Sequence, residues 1–268
     1  IVRKWRTGRL GYIIVSCMPF TFAHPAVVLP FLRKNGPLST SGLIVGSLVP
    51  DFEGFLRMEV NGNWADSWPG ILLFNIPVSI GILFLYHGLV KHLFLRILPY
   101  FLATRLVFSL TFNWVPYFRK HWVRVLISIL LGMFTHLLWD DFTHYDGYIV
   151  NYYYDFFYGK LWGISFFNVF QFVSSVLGII LVFWFVLKLP EEKVQLPSLR
   201  DRVMACGFIG LLTAIFLGIR GIYGFQELGS FVFSAIGCFF WALIALSIAV
   251  RFFPIYGLKT KKLPGQSR

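Results

Sequence analysis

Residues 71–90, ILLFNIPVSIGILFLYHGLV, run without a single Asp, Glu, Lys or Arg. A helix needs about 20 such residues to cross roughly 30 Å of hydrocarbon, where only helices and closed barrels satisfy their own backbone. Comparable runs at 122–139, 166–187, 203–219 and 229–250 make five confident spans. The composition agrees, with 57% hydrophobic and only 13% charged residues and a mean hydropathy of +0.71. These features predict an all-α polytopic transmembrane helical bundle.

Shorter elements fill the gaps. Residues 20–32, FTFAHPAVVLPFL, and 42–50, GLIVGSLVP, are apolar but too short to be full spans, and Ser39 or Ser41 is placed to cap the second. Pro77 predicts a kink in the first span. Arg96, Pro99 and Arg105 interrupt 93–110, which therefore reads as an interfacial helix. The aromatic, acidic stretch after Trp139 reads as a loop held at the headgroup level.

The organisation expected is an upstream extension at 1–17 with Met18 as the natural start, then a helical membrane domain at 18–187. A cytoplasmic connector at 188–202, a two-helix hairpin at 203–250 and a basic cytoplasmic tail at 251–268 follow. The net charge of +12 does not point to nucleic acid, because the Lys and Arg are dispersed between apolar runs and gathered in the tail. They fit the excess of basic residues in cytoplasmic loops. Cys17, Cys206 and Cys238 are scattered, so neither a disulfide framework nor a Cys-based zinc site is expected.

Placing the basic connector and tail inside a cell (inner or plasma) membrane puts the loop after Trp139 outside, with membrane lipid as the neighbouring partner. The polar residues that stand out then share that face. In GMFTHLLWDDFTH, residues 132–144, His136 and Asp140 are four apart and so lie on one helix face; His144 is four further on. HxxxDxxxH is a spacing zinc accepts, although polar groups at a helix end are also simply solvated or act as caps. If 42–50 rises from the basic turn at Arg33, Asp51 and His24 reach the same side. Glu53 is placed either to act as a general base or to be solvated, and Asp141 either to accept from a ligating His or to be a surface charge. His87, His92 and His121 read as interfacial residues.

The ordered motifs MPFTFAHPAVVLP, GLIVGSLVPDFEGFLRM, WPGILLFNIP and LLGMFTHLLWDDFTHYDG resemble those of domain-of-unknown-function family 4184, uncharacterised bacterial integral-membrane proteins, over residues 18–186. That family is similar in motif layout to membrane-bound metal-dependent hydrolases, and more remotely to the zinc-dependent phospholipase C fold. The resemblance implies zinc ligands at His24, Asp51, His136 and Asp140. Asp66 stands before Pro69–Gly70 where relatives tend to have His and can still ligate; Phe172, after Gln171, stands where they often carry another. Two functions follow as expectations. One is a zinc-dependent hydrolase at the outer face, acting on phospholipid-like phosphodiesters; the other is a non-catalytic scaffold or partner-binding protein whose polar cluster is structural. A transporter would be expected to show matching halves, and no internal repeat is evident.

Overall fold

The computed structural model describes residues 20–33, 36–60, 65 and 67–252; Met18, Asp66 and the tail after Phe252 lie outside these. Among the described residues the chain is all-α apart from one two-stranded hairpin. The elements that matter for the site are α1 (Thr21–Phe31), α2 (Thr40–Gly46), α3 (Phe52–Arg57), α4 (Ile71–Ile97), α5 (Tyr100–Thr111), α6 (Trp114–Thr143) and α7 (Tyr148–Tyr152). They are followed by α8 (Tyr154–Phe157), strands β1 (Lys160–Leu161) and β2 (Ile164–Ser165), α9 (Phe166–Lys188), α10 (Leu199–Gly221) and α11 (Leu228–Phe252). Five helices, α4, α6, α9, α10 and α11, are long and apolar enough to cross a membrane. Their outward faces carry large apolar side chains such as Leu73, Phe134, Phe172 and Ile180. Such a surface is stable against lipid, where no water needs to be excluded.

Two boundaries differ from the sequence reading. The first span does not stop at Val90 but continues to Ile97, and Pro99, which cannot extend a helix, separates it from α5. Lys91 belongs to the span. Its buried ammonium donates to the Ser109 and Phe112 carbonyls at 2.9 and 3.0 Å, at the end of the short helix that follows. The second span starts earlier, at Trp114, but the helix bends at His121, whose φ and ψ are −128° and 27°. Trp122, the expected start, is the first residue beyond that bend.

α4 is not a plain α-helix. Ile71–Asn75 and Tyr86–Val90 are π-helical turns flanking an α segment that carries Pro77 near its start. Asn75, Ser79, Leu83, His87 and Lys91, spaced by four, are all buried. On a pure α-helix each step of four overshoots a turn by about 40°, so the fifth residue would face nearly the opposite way. The wider π turns take up that drift and keep one face toward the bundle. His87 is therefore not interfacial. Its Nε2 lies 3.0 Å from Ser41 Oγ and its ring stacks on Trp114 at 4.8 Å.

Close packing of small residues brings the short helices to α6. A Cβ on Gly46 would lie 2.3 Å from the Ile129 carbonyl, and one on Gly132 would lie 2.4 Å from the Leu43 carbonyl. Gly42 and Gly46 of α2 thus face Ser128 and Gly132 of α6, a small-xxx-small contact of the kind membrane helices use. Ser39 closes the start of α2: its hydroxyl accepts from the Gly42 N–H, and its own N–H donates to Ser128 Oγ. α11 similarly holds α3. Gly237 and Gly229 admit Phe55 and Val60, and Ser234 Oγ donates to the carbonyl of Met58, the left-handed cap of α3.

Candidate metal centre

Each residue of the centre is delivered by one of these contacts. α2 runs alongside α6 in the same direction, since Gly42 meets Val125 and Ser128, while Gly46 meets Ile129. The turn Val49–Asp51 that follows α2 therefore arrives at the His136 end of α6. His24 ends the first turn of α1, and that turn is docked on α9: Gly178 has room for no side chain against Ala23, and the Phe20 N–H donates to Ser175 Oγ.

The result is a compact group. Ligand-competent atoms of His24, Asp51 and His136 all lie within 4.8 Å of one another. The His24 and His136 rings stack with centroids 3.9 Å apart and planes inclined by 20°. His136 Nε2 is 3.0 Å from Asp140 Oδ2 and 3.7 Å from Asp51 Oδ1, while Asp140 Oδ1 is 3.7 Å from His24 Nε2 and 3.5 Å from His144 Nδ1. The four residues implied as ligands thus converge, and His144 joins them.

The donor set fits a metal ion by its chemistry. A tetrahedral zinc with bonds of about 2.0–2.1 Å holds its ligand atoms about 3.3–3.4 Å apart, close to the separations found here. His24 and His136 are each 1% exposed, and neither ring nitrogen of His24 has a hydrogen-bond partner among the described residues. Two stacked, buried imidazoles beside carboxylates suit ligation better than solvation. Burial, and then the charge at His136, push the His24 imidazole well below its ordinary pKa, toward the neutral form that ligates. Burial pushes the Asp51 carboxyl up, and the charge at His136, ahead of the Thr21 side chain, opposes that shift. The Ser47 carbonyl, 2.9 Å from His136 Nδ1, can only accept, so Nδ1 carries the proton and Nε2 faces the carboxylates.

The other expected residues that the structure describes fall outside this group. Glu53 is 3% exposed rather than solvated: Oε1 accepts from Arg57 Nη1 at 2.8 Å, and Oε2 accepts from the Ala65 N–H at 2.7 Å. With Asn75 Nδ2 donating to the Ala65 carbonyl, it clamps the turn ahead of α4. Asp141 Oδ1 accepts from the Tyr148 N–H at 2.9 Å and starts α7. Phe172 points outward and Gln171 inward, so position 172 does not face the bundle. Asp66 lies outside the described residues. Thr21 and Ser47 escaped the sequence reading; the signal that finds Ser47 is the pairing of Gly42-xxx-Gly46 with Ser128-xxx-Gly132.

Neither a curated protein nor a solved structure matches the chain. A family match does cover residues 18–248, reaching through α10 and nearly to the end of α11, beyond the motifs that carry the resemblance. With four spans, most of the fifth, the glycine contacts and the His/Asp group inside that match, the chain belongs to the family described as Domain of unknown function (DUF4184).

Proposed function

We propose that this protein is a membrane-embedded, metal-dependent hydrolase. A divalent cation, zinc by the mix of imidazole and carboxylate donors, is held by His24, Asp51, His136 and Asp140, and the substrates are phospholipid-like phosphodiesters. One observation carries the reading: His24, buried and without a hydrogen-bond partner among the described residues, lies with its ligand atom within 4.8 Å of those of Asp51 and His136. Such an ion supplies a Lewis acid for a phosphoryl oxygen and lowers the pKa of a bound water.

The chain's own residues do the positioning. Ser47 orients His136. Asp140 and His144, 23% and 19% exposed, form the open side. Tyr145, Tyr148, Tyr152 and Trp162 are exposed in the segments following α6, where aromatic rings favour lipid headgroups. The gathering of basic residues at the opposite end supports a centre on the outer face of a cell membrane, with the C-terminus inside. Glu53 enters as the residue that holds the Ala65 turn.

The test is metal content of detergent-purified protein beside His136→Ala and Asp140→Ala, with turnover of a fluorescent phospholipid measured on the same samples. Bound zinc in the parent and at least tenfold weaker retention in both variants is expected. Full metal retention in both variants overturns the assignment. Absence of metal and of turnover, with a lowered melting temperature in His136→Ala, identifies a scaffold in which the cluster only stabilises packing.

A further inference from the structure

We infer that the centre is built for two divalent cations, with the Asp140 carboxylate between them and His144 as a ligand of the second. This rests on the metal-binding reading above and extends it to the number of ions and the charge of the substrate. The two oxygens of Asp140 face different partners. Oδ2 lies 3.0 Å from His136 Nε2, whereas Oδ1 lies 3.7 Å from His24 Nε2 and 3.5 Å from His144 Nδ1. Asp51 Oδ1 lies on the His136 side, 3.7 Å from the same Nε2.

The donors therefore divide into two sets that share one carboxylate: Asp51, His136 and Asp140 Oδ2, and His24, His144 and Asp140 Oδ1. Every separation quoted lies within about 0.4 Å of the edge of a zinc tetrahedron, about 3.3–3.4 Å for bonds of 2.0–2.1 Å. A carboxylate offering one oxygen to each of two ions about 3.5–4 Å apart matches the spacing of two-metal hydrolytic sites.

The second set carries the stronger mark. His24 Nε2, Asp140 Oδ1 and His144 Nδ1 are all shielded from solvent, and none has a hydrogen-bond partner among the described residues. Buried polar atoms are ordinarily paired, and two imidazole nitrogens that both approach Asp140 Oδ1, at 3.7 and 3.5 Å, are explained together with it by a shared cation. A single ion on the His136 side would leave Oδ1 and His144 without a role. The backbone holds His144 for this use: α6 ends at Thr143, and the His144 N–H donates to the Asp140 carbonyl at 2.8 Å, so the imidazole folds back over its neighbour four residues earlier.

Charge narrows the substrate. Two divalent cations against the two carboxylates of Asp51 and Asp140 leave a net positive centre, and Asp141, the acid next to Asp140, is turned to the Tyr148 N–H. Such a centre selects an anionic phosphoryl group over a neutral carboxylic ester.

The experiment counts ions on the full chain in detergent micelles. Elemental analysis after zinc saturation and desalting is expected to give about two ions per chain, and about one in His144→Ala. His144 Nδ1 makes no hydrogen bond, so that variant is expected to keep its fold, which circular dichroism checks. One ion per chain in both proteins overturns the two-ion centre and leaves the single-ion hydrolase standing; none in either overturns both. A second measurement does not depend on the variant. Parent protein saturated with manganese is expected to show the electron paramagnetic resonance pattern of a spin-coupled pair, and an isolated-ion spectrum at saturation overturns the proposal.

Discussion

His136 shows how a single residue's chemistry depends on a contact remote in sequence. Its spacing from Asp140 is legible as a shared helix face, because four residues close one turn. The choice of nitrogen is not legible, since it is made by the carbonyl of Ser47, 89 positions away. That carbonyl is within reach only because Gly132 lets α2 approach: a Cβ there would lie 2.4 Å from the Leu43 carbonyl and 2.7 Å from the Ser47 nitrogen. Gly132→Val is therefore expected to cost at least about 1–3 kcal/mol by overpacking and to lower metal occupancy, since backbone atoms cannot move aside as a side-chain tip can. Gly207→Ala, where no atom lies within 4 Å, serves as the control and is expected to be neutral in the same thermal melts. Glu53 makes a second residue-scale case. Proximity to Asp51 suggests a base, but both its oxygens accept hydrogen bonds, from Arg57 and Ala65. Glu53→Gln keeps an acceptor for the Ala65 N–H, so a modest loss of stability with metal content unchanged is expected. Abolished turnover at unchanged stability would instead identify a base.

α4 is the element whose internal geometry the sequence hid. Its apolar run announces a span, and Pro77 announces a disturbance, yet nothing in composition says that the disturbance is two π turns rather than a kink. The informative pattern is the buried series at 75, 79, 83, 87 and 91, a period of four that a plain α-helix does not sustain. A π turn alters which carbonyls are paired within the helix, and Arg251 at the end of α11 donates to one of them, the Gly88 oxygen, at 3.1 Å. Arg105 Nε plays the corresponding part at the end of α9, donating to the Leu187 carbonyl at 3.0 Å. Arg251→Met keeps the length of the side chain and removes the donor. It is expected to lower stability by about 0.5–1.5 kcal/mol, the net worth of one hydrogen bond, with metal content unaffected because Gly88 lies at the far end of α4. Thermal denaturation in detergent, with elemental analysis alongside, measures both.

At the scale of the whole molecule, the five spans were legible because hydrocarbon imposes a length and a polarity that no tertiary contact relaxes. The path of residues 20–51 was only partly so: two segments too short to cross were recognisable, but their descent along α9 and return along α6 depends on Gly178, Gly46 and Gly132 meeting particular backbones. That return brings the first half of the site to the end where α6 finishes, so the side of the membrane is decided by charge. Among the described residues, the basic side chains at the metal-centre end are Arg57, Lys160 and Arg220, whereas Lys91, Arg96, Arg105, Arg124, Lys188 and Arg202 gather toward the other. Basic residues near span ends are retained on the cytoplasmic side, which predicts the centre outside and the α9–α10 connector inside. Tyr223, 83% exposed in the connection between α10 and α11, reports the first location, and Lys193, exposed between α9 and α10, reports the second. In a background with the native cysteines replaced by serine, Tyr223→Cys is expected to react with a membrane-impermeant maleimide on intact cells. Lys193→Cys is expected to react only after permeabilisation. The reverse pattern would put the metal centre on the cytoplasmic face, and its substrates with the inner leaflet.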